Sequence, residues 1–118
     1  MPRLKRRAEF KAVASGVRVH KPSFTLQALR RQDGAGEARI GFTVTKKVGN
    51  AVVRNRIRRR FRALADHLAD EFRASTDYVI VARREALDAP FATLGDDLGE
   101  AVRAADDKLK RPAVRKRA

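Results

Sequence analysis

Val53, Ile57, Phe61, Leu64, Leu68 and Phe72 recur at spacings of three and four, the period that makes one side of an α-helix apolar. They predict a helix over residues 50–72. A second stripe of Phe91, Leu94, Leu98, Val102, Ala105 and Leu109 follows Pro90, whose fixed φ suits the first turn of a closing helix. A short first helix is expected over residues 3–14, with Phe10, Val13 and Ala14 on one side and Gly16 as its left-handed cap. Between them the period drops to two. Residues 17–20 read as a short strand stopped by Pro22, and residues 24–29 alternate Phe24, Leu26 and Ala28 against Thr25, Gln27 and Leu29. The turn Asp33-Gly34-Ala35-Gly36 is expected to return this strand as a hairpin into residues 39–45. Residues 78–83 form an apolar run typical of a buried strand. The order is αβββαβα, an α+β or α/β sandwich in which helices pack a small mixed sheet.

The 118 residues suffice for one domain, expected over 1–109, with 110–118 as a basic, disordered tail. Net charge is +14, from 28 basic and 14 acidic residues, which points to nucleic acid or an anionic membrane. The charge is uneven: residues 1–31 carry nine basic groups against Glu9, whereas residues 66–107 carry eleven carboxylates against four arginines. One side of the molecule should therefore face a polyanion. Cysteine is absent, which removes disulfides and zinc knuckles. No apolar run is long enough to span a membrane and no signal-peptide core follows the basic N-terminus, so a cytoplasmic location is expected.

Positive charge concentrates on the central helix. Residues 46–62 hold eight basic residues, six of them arginine, with two asparagines and no carboxylate. Arg54, Asn55, Arg58, Arg59 and Arg62 fall outside the apolar stripe, so a docked helix would present a ridge of guanidinium groups. Solvated helix faces usually mix signs, because like charges four apart cost a few tenths of a kcal/mol per pair. An external anion must neutralise this one, and the planar arginine fork suits phosphate and stacked bases.

The segment Lys46-Lys47-Val48-Gly49-Asn50-Ala51-Val52-Val53-Arg54-Asn55-Arg56-Ile57 resembles the Arg-Asn-Arg signature of the bacterial ribonuclease P protein subunit. The resemblance extends to Glu9-Phe10, the strand from Phe24 to Leu29, Gly41-Phe42-Thr43-Val44-Thr45, and the run from Asp77 to Arg83. It implies a left-handed βαβ crossover around the signature helix, where general rules favour a right-handed one. It also implies a protein that does no chemistry itself. A catalytic RNA subunit would remove the 5′ leader of precursor tRNA with Mg²⁺ held mainly by RNA, and no obligate protein partner or tightly bound cofactor is expected for this chain. Carried over, Lys46, Lys47, Asn50, Arg54, Asn55, Arg56, Arg58, Arg59 and Arg62 would contact RNA, while Phe10, Thr25, Gln27, Thr43 and Thr45 would line a cleft for the leader.

Three departures bear on that cleft and ridge. Ala14 and Gln27 stand where some relatives carry aromatics, leaving Phe10 as the obvious stacking platform, and Arg60 stands near the apolar stripe, from which it would have to snorkel to the RNA. Phe10 is equally readable as a core residue stapling the first helix to the sheet. No paired general acid and base stands out. His20 and His67 read as surface residues. Asp66, His67, Asp70 and Glu71 bunch at one helix end, where a metal site is an alternative, but pairing of Asp66 with Arg62 and of Asp70 with Arg73 explains most of the cluster without one. Two other readings share the charge pattern. A structural protein of the ribosome or another ribonucleoprotein would have no part in tRNA processing. A membrane-docking amphipathic helix is disfavoured because its apolar stripe is needed to cover the sheet and no tryptophan is present.

Overall fold

The computed structural model describes residues 1–32, 34 and 36–110. The elements are α1 (Arg7–Ala14), β1 (Val17–His20), β2 (Phe24–Arg30), β3 (Arg39–Thr43), α2 (Ala51–His67), β4 (Thr76–Ala82) and α3 (Phe91–Lys110), with 3-10 turns at Lys46–Val48, Ala69–Glu71 and Arg84–Leu87. The expected order αβββαβα is present. Residues 111–118, most of the expected basic tail, lie outside the described residues, and Lys110 closes α3.

Strand β4 decides the sheet. Tyr78, Val79 and Ile80 are buried, and a strand covered on both faces belongs in the interior of a sheet rather than at its edge. The order is β1-β2-β4-β3, with β2 antiparallel and β3 parallel to β4. The hairpin expected between β2 and β3 is therefore wrong, because β4 separates them. The glycines do reverse the chain, at φ +62 for Gly34 and +85 for Gly36, but a reversal does not specify which strand becomes the neighbour. The connection crosses the start of β4, where the Arg31 N–H donates to the Ser75 carbonyl at 2.8 Å and the Ser75 N–H donates to that of Gly36 at 2.9 Å. Asp33 and Ala35 of this turn lie outside the described residues.

Asp77 joins the three strands at that point. Its buried carboxylate accepts from Arg31 at 2.6 Å and from Arg39 at 2.8 and 2.7 Å. Burial alone would raise its pKa, but the bonds from Arg39 and Arg31 outweigh it and hold the carboxyl below its ordinary value. Arg39 also reaches Glu9 of α1 at 3.1 Å.

Helix α1 begins at Arg7 rather than residue 3, because the preceding segment pairs with the free edge of β3. The Ile40 N–H donates to the Pro2 carbonyl at 3.0 Å and the Leu4 N–H to that of Ile40 at 2.9 Å, groups that an open edge would leave unpaired. Ser15, not Gly16, is the C-cap, with φ −84. Gly16 has another reason to be glycine, since a Cβ there would collide with the Ala28 carbonyl.

The hand of the β3–α2–β4 crossover follows from Ile40. Its side chain lies in the core with Ile57 and Phe61 of α2, while its N–H and C=O turn outward to Pro2 and Leu4. For an L-residue viewed from the side-chain side with the strand running upward, these groups point right. The outer edge is thus on the right and β4 on the left, which makes the crossover left-handed.

Helices α2 and α3 cover one face of the sheet, where Phe24, Leu26, Ile40, Tyr78 and Ile80 meet Ile57, Phe61, Leu64, Leu94, Leu98 and Val102. Phe24 and Phe61 pack edge to face at 5.4 Å. Helix α2 stops five residues before the predicted end. The 3-10 turn Ala69–Glu71 continues its winding, so Phe72 still points inward and meets Tyr78 edge-on at 4.9 Å. Phe91 departs from its predicted stripe and is 48% exposed. The other face is covered only in part, by α1 and Leu4, through Phe10, Val13, Leu29, Val79 and Val81.

Candidate nucleic-acid interface

The cationic ridge forms where β3 runs through the Lys46–Val48 turn into α2. Asn50 ends the turn and caps the helix, its Oδ1 accepting from the Val53 N–H at 3.0 Å. Its side-chain oxygen is therefore engaged, leaving the amide N–H groups for a ligand. Gly49 is needed for close approach, because a Cβ there would lie 2.9 Å from Val53 Cγ1. From this start, Lys46, Lys47, Asn55, Arg56, Arg59 and Arg62 are exposed and Arg54 and Arg58 half-buried. Arg54 donates to the Gly49 carbonyl at 2.7 Å and Arg58 to Asn55 Oδ1 at 3.3 Å. Among the described residues, none of these lysines and arginines has a carboxylate partner. All nine predicted contact residues thus lie on the turn and the helix it opens, exposed or half-buried, and their positive charge has no carboxylate partner among the described residues.

Arg60 does not join them. Its guanidinium donates to the carbonyls of Ala86 at 2.5 Å, Leu87 at 2.9 Å and Ala89 at 2.5 Å, and it lies 5.7 Å from the Phe91 ring centroid. The expectation that it snorkels to a ligand is corrected: carbonyls left open at the end of the Arg84–Leu87 turn hold it on the protein side. Conversely, Arg84 was missed. It donates to the Val48 carbonyl at 3.0 Å, which sets an exposed arginine beside the Lys46–Val48 turn. No periodicity could place it, since it follows the end of β4.

The incompletely covered sheet face is the second candidate surface. The register aligns Thr25, Val81 and Thr43 in one row and Gln27, Val79 and Gly41 in the next. The Phe10 ring lies over Gly41, at the border of this face. Phe10, Thr25, Gln27 and Thr43 are therefore brought together. Thr45 lies beyond β3, at the start of the Lys46–Val48 turn, between this face and the ridge. Thr25 is buried; its hydroxyl accepts from Arg83 at 2.7 Å and lies 3.0 Å from His20 Nδ1.

The expected pairs Arg62–Asp66 and Arg73–Asp70 do not form. Arg73 lies instead 3.5 Å from Asp106, and Glu71 pairs with Arg103 at 3.2 Å. Asp106 is buried and needs the counter-charge more than exposed Asp70 does. Burial pushes the Asp106 carboxyl up despite the bond it accepts from Tyr78 at 2.7 Å. Among the described residues no group of three His, Cys, Asp or Glu side chains is placed to hold a metal ion, and no helix is long and apolar enough to cross a membrane.

The model of the family Ribonuclease P matches residues 2–106. The ribonuclease P protein component of Brucella suis is 44% identical over 114 residues, spanning 90% of this chain and 81% of that protein. That of Gluconacetobacter diazotrophicus is 51% identical over 105 residues, spanning 87% and 90%. The solved RNase P protein of Staphylococcus aureus superposes with a TM-score of 0.76 at 27% identity, over 89% of this chain and 95% of that one. The RNase P protein of Thermotoga maritima shares the fold, with a TM-score of 0.74 at 22% identity over 87% and 97%. The alternative of a ribosomal structural protein finds no support among these relatives. A cationic ridge on a left-handed crossover helix, a sheet face left partly open and a family match along nearly the whole chain lead to one conclusion: the chain belongs to the ribonuclease P family, as a protein component of the ribonucleoprotein that processes tRNA.

Proposed function

We propose that the ridge formed by α2 and the turn before it docks on a catalytic RNA subunit, and that the open sheet face holds the single-stranded 5′ leader of precursor tRNA, in the cytoplasm. The observation that carries this reading is the division of labour between two surfaces: an unneutralised row of lysines and arginines, and a separate, partly uncovered sheet face bordered by Phe10. Charge without a protein partner suits a folded RNA backbone, and a half-buried aromatic ring beside hydroxyl and amide groups suits unpaired bases.

Hydrolysis of the leader would fall to the RNA subunit. Among the described residues no group of three carboxylates or other ligand side chains is placed to hold Mg²⁺: Asp77 is engaged by Arg31 and Arg39, and Asp106 by Tyr78 and Arg73. What the protein supplies is binding. If about six phosphates are neutralised, RNA affinity falls roughly a thousandfold between ~50 and ~200 mM salt, whereas one stacked base contributes about 1–3 kcal/mol. The ridge therefore sets affinity, and the open face sets preference for precursor over mature tRNA. Reconstitution with the large RNA, followed by binding of precursor and mature tRNA, tests this. Preferential binding of the precursor supports the reading, and equal binding of the two contradicts it.

A further inference from the structure

The cations bordering the far side of the open sheet face are turned inward. Arg18 donates to the Ala14 carbonyl at 3.0 Å, Lys21 Nζ to Glu100 at 2.8 Å, and Arg83 to the Lys21 carbonyl at 2.5 Å and to Thr25 Oγ1 at 2.7 Å. The last contact begins a short relay. A guanidinium has no acceptor, so the Thr25 oxygen must accept from Arg83. The same hydroxyl, with its proton and a second lone pair still to use, meets His20 Nδ1 at 3.0 Å. That contact engages one ring nitrogen and leaves Nε2 as the remaining polar atom of the imidazole. Nε2 belongs to an exposed residue and has no protein partner among the described residues.

Gln27 shares the face. It pairs with Arg18 while His20 pairs with Thr25, which makes Gln27 and His20 diagonal neighbours about 7–8 Å apart. Its amide likewise has no partner among the described residues. The result is a pair of directional hydrogen-bonding groups beside cations that are already engaged. Such groups read base edges, whereas phosphates are met by free charge.

We infer that His20, oriented by Thr25 and Arg83, is a specificity-determining residue that hydrogen-bonds through Nε2 to a base of the single strand, with Gln27 beside it. This rests on the reading of the open face as the leader site. Three strand spacings, about 14 Å, separate β1 from the β3 glycine under Phe10, so the base met by His20 is a different one from any base stacked on Phe10.

The test is a competition among precursor tRNAs randomised along the leader, cleaved by holoenzyme reconstituted with the wild-type protein, His20→Ala, His20→Gln or Thr25→Val. The wild type should prefer particular bases at one leader position. His20→Ala and Thr25→Val should each flatten that preference about three- to tenfold, the worth of one neutral hydrogen bond, without changing preferences at other positions. His20→Gln, whose amide can both donate and accept, should recover part of it. Melting temperatures identify a Thr25→Val effect that comes from unfolding, in which case the exposed His20 variants decide alone. A wild type without base preference at any leader position, a preference that survives His20→Ala, or a uniform weakening of all leaders would each overturn the inference. Equal binding of precursor and mature tRNA by the wild type would instead remove the leader reading beneath it.

Discussion

The Phe10 ring occupies the space that a side chain at residue 41 would fill. A Cβ on Gly41 would lie 2.6 Å from both Cε2 and Cζ of the ring. Gly41→Ala should therefore push Phe10 off the sheet, at a stability cost of about 1–3 kcal/mol from overpacking. Phe10→Ala removes the same ring and leaves Gly41 bare. If the ring borders the leader site, both variants should weaken precursor tRNA binding by about 1–2 kcal/mol relative to mature tRNA. Melting temperatures measured beside the two affinities separate this from a staple alone, for which Phe10→Ala should lower stability by about 3–5 kcal/mol and weaken every RNA interaction together.

Asp77 gives the fold a pH dependence of known sign. Its carboxyl is held below the ordinary value of 3.8, so the stability it contributes is present above that value and is lost as pH falls through the lower folded-state pKa. Asp106, pushed upward by burial, has the opposite sign and loses its contribution as pH rises above 3.8. Asp77→Asn isolates the first effect. It should cost about 3–5 kcal/mol at neutral pH, because two arginines lose their shared counter-ion, and the gap from wild type should narrow in denaturant titrations at pH ~3.

Arg60 should behave as a structural residue despite its place in the signature helix. Removing a charged donor from three carbonyls in Arg60→Ala should lower stability by about 2–3 kcal/mol. The salt dependence of RNA binding should stay as in the wild type. A lowered salt slope with unchanged melting temperature would place Arg60 on the RNA after all.

Much of this was legible in the chain because helices announce themselves locally. The stripes of α2 and α3, the Asn50 boundary and the exposed ridge all follow from a period of three to four set against runs of arginine. The strand neighbours were not legible. The glycine turn after β2 marks a reversal and the apolar run of β4 marks a buried strand, but that β4 enters between β2 and β3 is a property of the assembled layers. Arg60 and Arg84 were misread or missed for a related reason. Their positions depend on the Arg84–Leu87 turn folding back against α2 and Val48, a long-range contact without a sequence period.

The central claim is that the ridge of α2 meets RNA phosphates, and the salt dependence of RNA-subunit binding tests it most directly. Arg56 and Arg59 are exposed and make no ion pair among the described residues, so Arg56→Ala with Arg59→Ala should leave the melting temperature unchanged. Each lost phosphate contact should reduce the slope of log affinity against log salt by about 0.7–0.9. A drop of about 1.4–1.8 in that slope for the double variant, with weaker binding at every salt concentration, is the predicted result. An unchanged slope and affinity in a folded double variant would contradict the account.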